Sequence, residues 1–283
     1  MARVSSKTFL TVLLSLAFST PAWAEDVAVS CPSDPEKLQD IPRALVYKDV
    51  PFKAGETSFY EVSWAGIKAG EAMLEVRSPR RHMNLWHQVF HAEAKTGDWF
   101  KAIFVLRDEV EAISRPRDFA ISKFFIEQDE GKMFGRRFQQ KKWLDFDHSQ
   151  CKVTERLAEA GKEEKVSQFD LSRGAIDALG VAFQLRTRPF KAGVKERALV
   201  YTSEKNWWLE AEPVAFESLT VPAGTFQTVK LKLQTFLGKD LQQKGDVWAW
   251  VATDRPSRPL VQIQGEIKIG SIFMRLHRFT PGG

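Results

Sequence analysis

The stretch that decides the fold is TSFYEVSWAGIKAGEAMLEV, residues 57–76. Apolar and polar side chains alternate on both sides of a central AGIKAG segment, residues 65–70. The residues sharing one face are Tyr60, Val62 and Trp64 in the first run and Ala72, Leu74 and Val76 in the second. A period of two is typical of a half-buried strand, and glycines between two such runs indicate a tight turn. The stretch therefore predicts a β-hairpin.

The same alternation returns along most of the chain. Further runs that predict strands cover 83–95, 105–114, 119–128, 133–146, 151–157, 197–202, 207–216, 226–236, 246–253, 260–267 and 271–279. Short strands with frequent turn signals favour an antiparallel architecture. We predict a mainly β fold: one or more curved antiparallel sheets, forming an open barrel or a clamshell-like sandwich.

One segment, residues 170–187, breaks the β pattern. Apolar residues such as Leu179 and Phe183 recur there at helical spacing, and Pro189 ends the run. Asp170 or Ser172 is the expected N-cap. The segment predicts one helix.

Residues 1–24 predict a signal peptide. Arg3 and Lys7 precede the apolar run FLTVLLSLAF, residues 9–18, and small residues lead up to Ala24. The run is too short to cross a bilayer as a helix, and no other segment is long enough. We expect cleavage after Ala24, a periplasmic location and no transmembrane segment.

The remaining chain predicts an extended arm, residues 25–50, followed by a single β-rich domain, residues 51–283. The pentapeptide PFKAG occurs at 51–55 and again at 189–193. Two explanations stay open: two β halves, 51–168 and 189–283, joined by the helix, or independent use of a good turn before a strand.

Charge and cysteine content narrow the class of protein. The formal net charge is +5 with both signs interspersed, which indicates a solvated surface and no nucleic-acid partner. The two cysteines, Cys31 and Cys151, predict one disulfide in an exported chain, with two free thiols as the alternative.

Several motifs, taken in order, resemble a known family. They are FKAGE (52–56), GIKAG (66–70), DALGVAFQLR (177–186), PFKAG (189–193), VPAGTF (221–226) and DRPSRP (254–259). This order resembles the exported bacterial domain of unknown function 3108 family over roughly residues 50–280. The resemblance implies an envelope location and a β-rich fold. It brings no catalytic residue, because the family has no established activity.

The chain shows no catalytic or cofactor motif. His87 and His91 share a strand face, but four residues of a strand span about 13 Å, too far for one ion. We find no zinc spacing, nucleophile elbow or phosphate-binding glycine loop. We therefore predict no catalytic residue, no metal ligand and no cofactor, while a triad or carboxylate pair assembled only in the fold stays open.

Aromatic residues carry the one compositional signal, with 9 Trp and 21 Phe. Large aromatics fill β cores, and they also line apolar clefts or stack on sugars. The residues we predict to line a ligand-binding concavity are Tyr60, Trp64, Trp207, Trp208, Trp248 and Trp250.

These observations favour a periplasmic binding protein over an enzyme. The leading hypothesis is a lipid, or another apolar envelope component, held in the aromatic-lined concavity, and a glycan stacked on the aromatic rings is the other possible ligand. A structural adaptor that binds another envelope protein is the first alternative. A hydrolase acting on cell wall or polysaccharide is the second. The lipid hypothesis predicts a continuous apolar groove, whereas the hydrolase hypothesis predicts titratable groups converging in a cleft.

Overall fold

A computed structural model describes residues 50–102, 104–131, 137–237, 240–242, 245–266 and 270–283. The described strands are β1 (Thr57–Trp64), β2 (Ile67–His82), β3 (Leu85–Thr96), β4 (Val105–Ser114), β5 (Ile121–Gly131), β6 (Arg137–Asp147), β7 (Lys152–Glu159), β8 (Lys165–Asp170), β9 (Glu196–Thr202), β10 (Lys205–Val221), β11 (Gly224–Leu237), β12 (Asp240–Leu241), β13 (Val247–Ala252), β14 (Leu260–Glu266) and β15 (Ser271–Thr280). One α-helix, α1 (Ala178–Thr187), and a 3₁₀ turn, Phe100–Ala102, complete the described elements.

The strands form one continuous antiparallel sheet that is not closed into a barrel, which confirms the predicted fold class. Its order is β8-β7-β6-β5-β4-β3-β2-β1-β15-β14-β13-β11-β10-β9, and β12 pairs with β11. Strand β1 therefore lies near the middle and joins the two arms of the sheet by pairing with both β2 and β15. Each arm is a run of sequential hairpins, because alternating sequences joined by short turns pair with their neighbours.

The hairpin of residues 57–76 forms as predicted, and its glycines act in two ways. Gly66 adopts a left-handed backbone with φ of 84° at the β1–β2 turn. Gly70 lies where β2 approaches β3, and a Cβ there would meet the Lys95 carbonyl oxygen at 2.3 Å. The first glycine sets the turn, and the second permits close strand contact.

Helix α1 is shorter than the sequence predicts. It begins at Ala178 with Asp177 as its N-cap, so neither Asp170 nor Ser172 serves as predicted. The preceding residues are held by strands instead: Ile121 donates to the Ala175 carbonyl at 3.2 Å, and Ile176 forms a parallel bridge with Val200 of β9. Residues before Ala178 are therefore not helical, because their backbone groups bond to β5 and β9.

We call the end of the sheet that carries α1 the helix end. The face on which α1 packs is the inner face, and the opposite face is the outer face. Phe183 of α1 stacks on Phe90 of β3 with ring centroids 4.1 Å apart, and Phe52 meets both rings edge-on. All three side chains are buried. The helix therefore covers the apolar inner face at this end.

Both PFKAG copies end in the same backbone feature. Gly55 and Gly193 have left-handed φ angles of 86° and 75° and follow turns. Their phenylalanines differ, because Phe52 is buried in the core whereas Phe190 is half-buried. What the copies share is turn chemistry.

Three sequence predictions concern residues outside the described part: the signal peptide, the N-terminal arm and Cys31. Cys151 is buried at the β6–β7 turn, and its disulfide with Cys31 stays a prediction. Within the described residues, no helix is long and apolar enough to span a membrane.

Candidate functional site

Three of the motifs that carry the family resemblance meet at one side chain, Arg186. FKAGE supplies Glu56, DALGVAFQLR supplies Arg186 at the end of α1, and DRPSRP supplies the carbonyls of Ser257 and Arg258. These motifs lie about 70 and 130 residues from Arg186 along the chain. The fold brings them together at the helix end.

The Arg186 guanidinium is almost fully bonded. Its Nη1 lies 2.7 Å from Glu56 Oε1, and its Nη2 donates to Glu56 Oε2 at 2.9 Å. Nη2 also donates to the Ser257 carbonyl at 2.7 Å, and Nε donates to the Arg258 carbonyl at 3.0 Å. Both charged side chains are at most 3% exposed. A bidentate pair with further bonds is what a buried arginine requires.

This ion pair fastens α1 over the inner face. Arg186 also lies over the rings of Phe52 and Phe183, at 5.0 and 5.5 Å. A buried charge pair of this kind is costly to open, because each partner would be left unpaired in an apolar setting. The motifs of the family therefore build an anchor for the helix.

Of the six predicted aromatic residues, three belong to the inner face. Tyr60 and Trp207 are buried, and each bonds a backbone carbonyl, Leu260 and Thr202 respectively. Burial raises the pKa of the Tyr60 hydroxyl. Trp64 is half-buried and packs edge-on against Phe100, with centroids 5.9 Å apart. These side chains fill the interior.

The other three do not face the same space. Trp248 and Trp250 alternate with the inner residue Ala249 and so lie on the outer face, where Lys230 covers both rings at 5.5 and 5.0 Å. Trp208 is half-buried on the face opposite Trp207. The structure therefore distributes the six residues over two faces and does not gather them in one concavity.

Two of the pockets among the described residues bear on the predicted concavity. One, of about 550 Å³, lies on the surface at the base of the β2–β3 hairpin and includes Gly55, Arg77 and Arg80. The other, of about 30 Å³, lies between Ile176, Leu199 and Trp208. The first is lined by none of the six aromatic residues and the second by only one.

A buried acidic wall lies on the inner face of β4–β6. Asp108, Gln128 and Gln140 are direct cross-strand neighbours, and Glu130 follows Gln128 on the same face. Gln128 donates to Glu130 at 3.1 Å, and Gln140 donates to Gln128. Neither Asp108 oxygen has a hydrogen-bond partner among the described residues. Burial, and then the charge of Glu130, raise the pKa of Asp108 to about 8.

Within the acidic wall, Asp108 and Glu130 are two buried, interacting carboxyl groups. Asp108 and Glu130 are each about 2% exposed, so a substrate does not reach them in this conformation. A hydrolase needs such groups in an open cleft. The sequence analysis missed the acidic wall, because alternation predicts the strands but not which residues of different strands lie side by side.

The tip of the β2–β3 hairpin carries an unusual cluster of exposed apolar side chains. Met83, Leu85 and Trp86 are 79%, 63% and 63% exposed. Met83 and Asn84 form the turn with φ angles of 48° and 62°, the geometry of a two-residue hairpin. Pairing continues to the turn, with Arg81 opposite Trp86. The sequence predicted a strand beginning at Met83 and missed this turn, which the dipeptide Met-Asn signals weakly.

Two arginines, Arg80 and Arg81, belong to this hairpin tip, residues 80–86. Arg80 donates to Glu111 Oε1 at 2.7 Å and is still exposed. Arg81 is exposed, as is Arg117 in the neighbouring β4–β5 connection. Neither Arg81 nor Arg117 forms an ion pair with any residue in the described ranges. The tip therefore combines exposed apolar side chains with Arg81, which has no ion-pair partner in the described ranges.

The described strands form one open antiparallel sheet. A solved structure with a similar fold, a β-barrel-like protein of domain of unknown function DUF1849 from Brucella abortus, overlays with a TM-score of 0.51 at 8% identity. The overlay covers 80% of this chain and 97% of that one. At this identity the likeness concerns the fold alone.

The chain belongs to the family described as "Protein of unknown function (DUF3108)", which matches residues 60–277. Two further structures overlay less well: a candidate exported protein with a YmcC-like fold from Bacteroides fragilis and a candidate lipoprotein from Parabacteroides distasonis. Their TM-scores are 0.36 and 0.33, each at 12% identity, covering 82% of this chain and 98% of theirs. No curated protein matches the sequence.

Proposed function

We propose that this protein is a non-enzymatic protein of the bacterial periplasm that binds the surface of an anionic lipid membrane through the tip of its β2–β3 hairpin. The observation that carries the proposal is the exposure of Met83, Leu85 and Trp86 at a single turn. The pattern of residues 1–24 supports export.

The apolar part of the tip suits the interfacial zone of a bilayer. Adjacent large apolar side chains are rarely left in water without a binding role. Tryptophan favours the level of the lipid headgroups, because its ring is apolar and its indole N–H is polar. Leu85 and Met83 precede Trp86 on a paired, ordered hairpin, so little conformational entropy is lost when they insert.

The arginine side chains of the tip favour lipids with negatively charged headgroups. Arg81 and Arg117 are exposed and have no carboxylate partner among the residues described, whereas Arg77 and Arg80 are paired with Glu75 and Glu111. Guanidinium groups bind phosphate oxygens well. Each basic residue near an anionic leaflet contributes about 1 kcal/mol at low ionic strength. An anionic phospholipid fits this combination of exposed apolar and arginine side chains.

This proposal keeps the lipid of the sequence hypothesis but changes its position. The concavity that the sequence predicted is covered by α1 and filled by Tyr60, Trp207 and the phenylalanine cluster. Binding of an acyl chain there requires α1 to leave and the buried Arg186–Glu56 pair to open. The hairpin tip needs no such rearrangement.

Vesicle co-sedimentation tests the proposal with lipids of defined charge. We expect the protein to bind vesicles of equal parts phosphatidylglycerol and phosphatidylcholine, and to bind phosphatidylcholine alone about tenfold less. The double variant Leu85→Ser/Trp86→Ser should lose about tenfold or more in affinity, because the apolar insertion is removed.

Phe216→Ser is the matched control, since Phe216 is 55% exposed on another hairpin. It should bind vesicles as the parent does. Equal binding by the parent and the double variant would refute the hairpin as the lipid site. Thermal unfolding checks that both variants remain folded.

The adaptor hypothesis is favoured by one observation, the edge strand β8. Strand β8 pairs only with β7, and Val166 on it is 60% exposed. Such an edge can accept an added strand from a partner. Cross-linking in envelope extracts, with Val166→Asp as the variant, tests this alternative; loss of one cross-linked protein would support it, and an unchanged pattern would oppose it.

A further inference from the structure

A histidine and two glutamates converge on the outer face of β3 and β4. His91 and Glu93 are two residues apart on β3, so they share a face, and Glu109 of β4 is the direct cross-strand partner of Glu93. His91 lies 3.1 Å from Glu109 and 3.7 Å from Glu93, both measured from Nε2 to a carboxylate Oε1. One donor atom from each of the three lies within 4.8 Å of the others.

These separations are close to those of metal ligands. Nitrogen and oxygen ligands at about 2.1 Å from a tetrahedral ion lie roughly 3.4 Å from each other. The two measured distances fall on either side of that value, so a small rotation of two partly exposed glutamates completes the geometry. Glu93 and Glu109 are 56% and 44% exposed, which leaves a path for the ion and room for water ligands.

A carboxylate also lies near the second nitrogen of His91, although the two do not meet hydrogen-bond geometry. Nδ1 lies 3.3 Å from Glu75 Oε2 on β2, and the imidazole is fully buried. A carboxylate on one nitrogen fixes the tautomer and the orientation of a metal-binding histidine, and it raises the ligand basicity of the other nitrogen. Nε2 faces Glu93 and Glu109, and a small rotation of the Glu75 side chain would align its carboxylate with Nδ1.

The local charge also calls for a cation. Glu93, Glu109 and Glu127 face one another in register across β3, β4 and β5, and like charges directly opposite destabilise a sheet. Lys141 pairs with Glu127 at 2.9 Å. Glu93 contacts only His91 among the ion pairs of the described residues.

The carboxylates around His91 and its neighbours outnumber the guanidinium groups paired with them. The four carboxylates are Glu75, Glu93, Glu109 and Glu111, and the two guanidinium groups that reach them are Arg77 and Arg80. Four negative and two positive charges leave two negative charges. A divalent ion balances this cluster.

We propose that His91, Glu93 and Glu109 bind one divalent first-row transition metal ion of the Zn²⁺ class, with Glu75 as the residue that positions the imidazole. Mixed nitrogen and oxygen ligands suit Zn²⁺ better than Mg²⁺, which prefers oxygen alone. Three protein ligands leave a coordination position for water. The sequence prediction of no metal ligand considered His87 with His91 and overlooked His91 with Glu93.

Calorimetric titration of the chelator-treated, untagged protein with Zn²⁺ tests this site. We expect one Zn²⁺ per chain and no saturable uptake of Mg²⁺ in the same range. Glu93→Gln removes one ligand on an exposed side chain, so the fold is retained and the affinity for Zn²⁺ should fall about tenfold or more. Glu75→Gln should weaken Zn²⁺ binding by about tenfold without changing the stoichiometry.

Glu127→Gln is the matched control, because Glu127 lies in the same register row without touching His91. It should bind Zn²⁺ within about twofold of the parent. With Co²⁺ as the probe, the visible absorption band should be lost in Glu93→Gln and kept in Glu127→Gln. Absence of saturable Zn²⁺ uptake by the parent would overturn the proposal. Zn²⁺ binding unchanged by Glu93→Gln would place the ion elsewhere, for example at His82 and His87, whose rings are 5.4 Å apart, and would overturn it equally.

Discussion

The helix end and the acidic wall bury ionisable groups on the same inner face in opposite ways. At the helix end, Arg186 meets the opposite charge of Glu56 and two carbonyls, so its donors are bonded. At the acidic wall, Asp108 lies beside another carboxyl group, Glu130, and its pKa is raised to about 8. One region keeps its charges by pairing them, and the other gives up a charge by holding a proton. Removing one charge partner should destabilise the helix end, and raising the pH should destabilise the acidic wall.

The largest effect should follow from breaking the paired region. Arg186→Met leaves Glu56 buried without its partner, so we expect the free energy of unfolding to fall by about 3–5 kcal/mol. Urea unfolding measures the loss. Arg188→Met is the control at the same helix end, since Arg188 reaches Glu196 only at 3.9 Å. A loss of the same size in both variants would show that the Glu56 pair is not special.

A double variant distinguishes the loss of the charge pair from the loss of packing by Arg186. The double variant Arg186→Met/Glu56→Leu removes both charges, so most of the stability lost in Arg186→Met should return. Failure to recover would assign the loss to packing on Phe52 and Phe183, where Arg186 also contacts the rings.

The next effect should appear at the acidic wall and depend on pH. Because the folded-state pKa of Asp108 is about 8 and its ordinary value is 3.8, the folded protein binds the extra proton between these values. This contribution to stability is fully present below about pH 4 and is lost as pH rises toward 8, with a slope of at most about 1.4 kcal/mol per pH unit.

Asp108→Asn removes that proton equilibrium while it keeps the shape of the side chain. We expect the variant to be more stable than the parent by about 1–3 kcal/mol at pH 8 and to differ little at pH 4. Urea unfolding at both pH values measures the difference. A variant that is less stable than the parent at pH 8 would mean that the Asp108 carboxylate is stabilised when charged.

The smallest effect should come from Asp177, the N-cap of α1, which accepts from the Gly180 N–H at 2.8 Å. Burial raises the pKa of Asp177 to about 6, so its contribution to stability is lost as pH rises from about 4 to 6. Asp177→Asn keeps the cap and removes the proton equilibrium, so at pH 7 it should be more stable than the parent by at most about 1 kcal/mol. Asp177→Ala loses the cap, and we expect it to be less stable than Asp177→Asn in urea unfolding.

The sequence predicted most of the strands because alternation is a local signal. The start of α1 could not be predicted, because residues 171–177 bond to β5 and β9, which are distant in the chain. For the same reason the sequence missed the Arg186–Glu56 pair. Its own motifs contained both residues, but nothing local relates positions 130 residues apart.

In the candidate sites, too, local patterns were visible in the sequence, whereas contacts between distant residues were not. The aromatic residues were found by type, yet only the register shows that Trp250 lies outside and Trp207 inside. Part of the proposed metal site was visible in the sequence, because His91 and Glu93 are two residues apart. Glu109 joins them only through the pairing of β3 with β4. Predicting the exposed hairpin tip would have required recognising the turn at Met83 and Asn84.

The seam between β1 and β15 sets the order in which the molecule can be completed. Thr57 pairs with Thr280, and Tyr60 bonds the Leu260 carbonyl 200 residues away. The hairpins of each arm can form as soon as their strands emerge, whereas β1 lacks one neighbour until the last strand has been made. We expect closure of this seam to be the slow step of folding, because long-range pairing must overcome the entropy of a large loop. A chain cut short before β15 would leave an open strand at its centre, a site for aggregation.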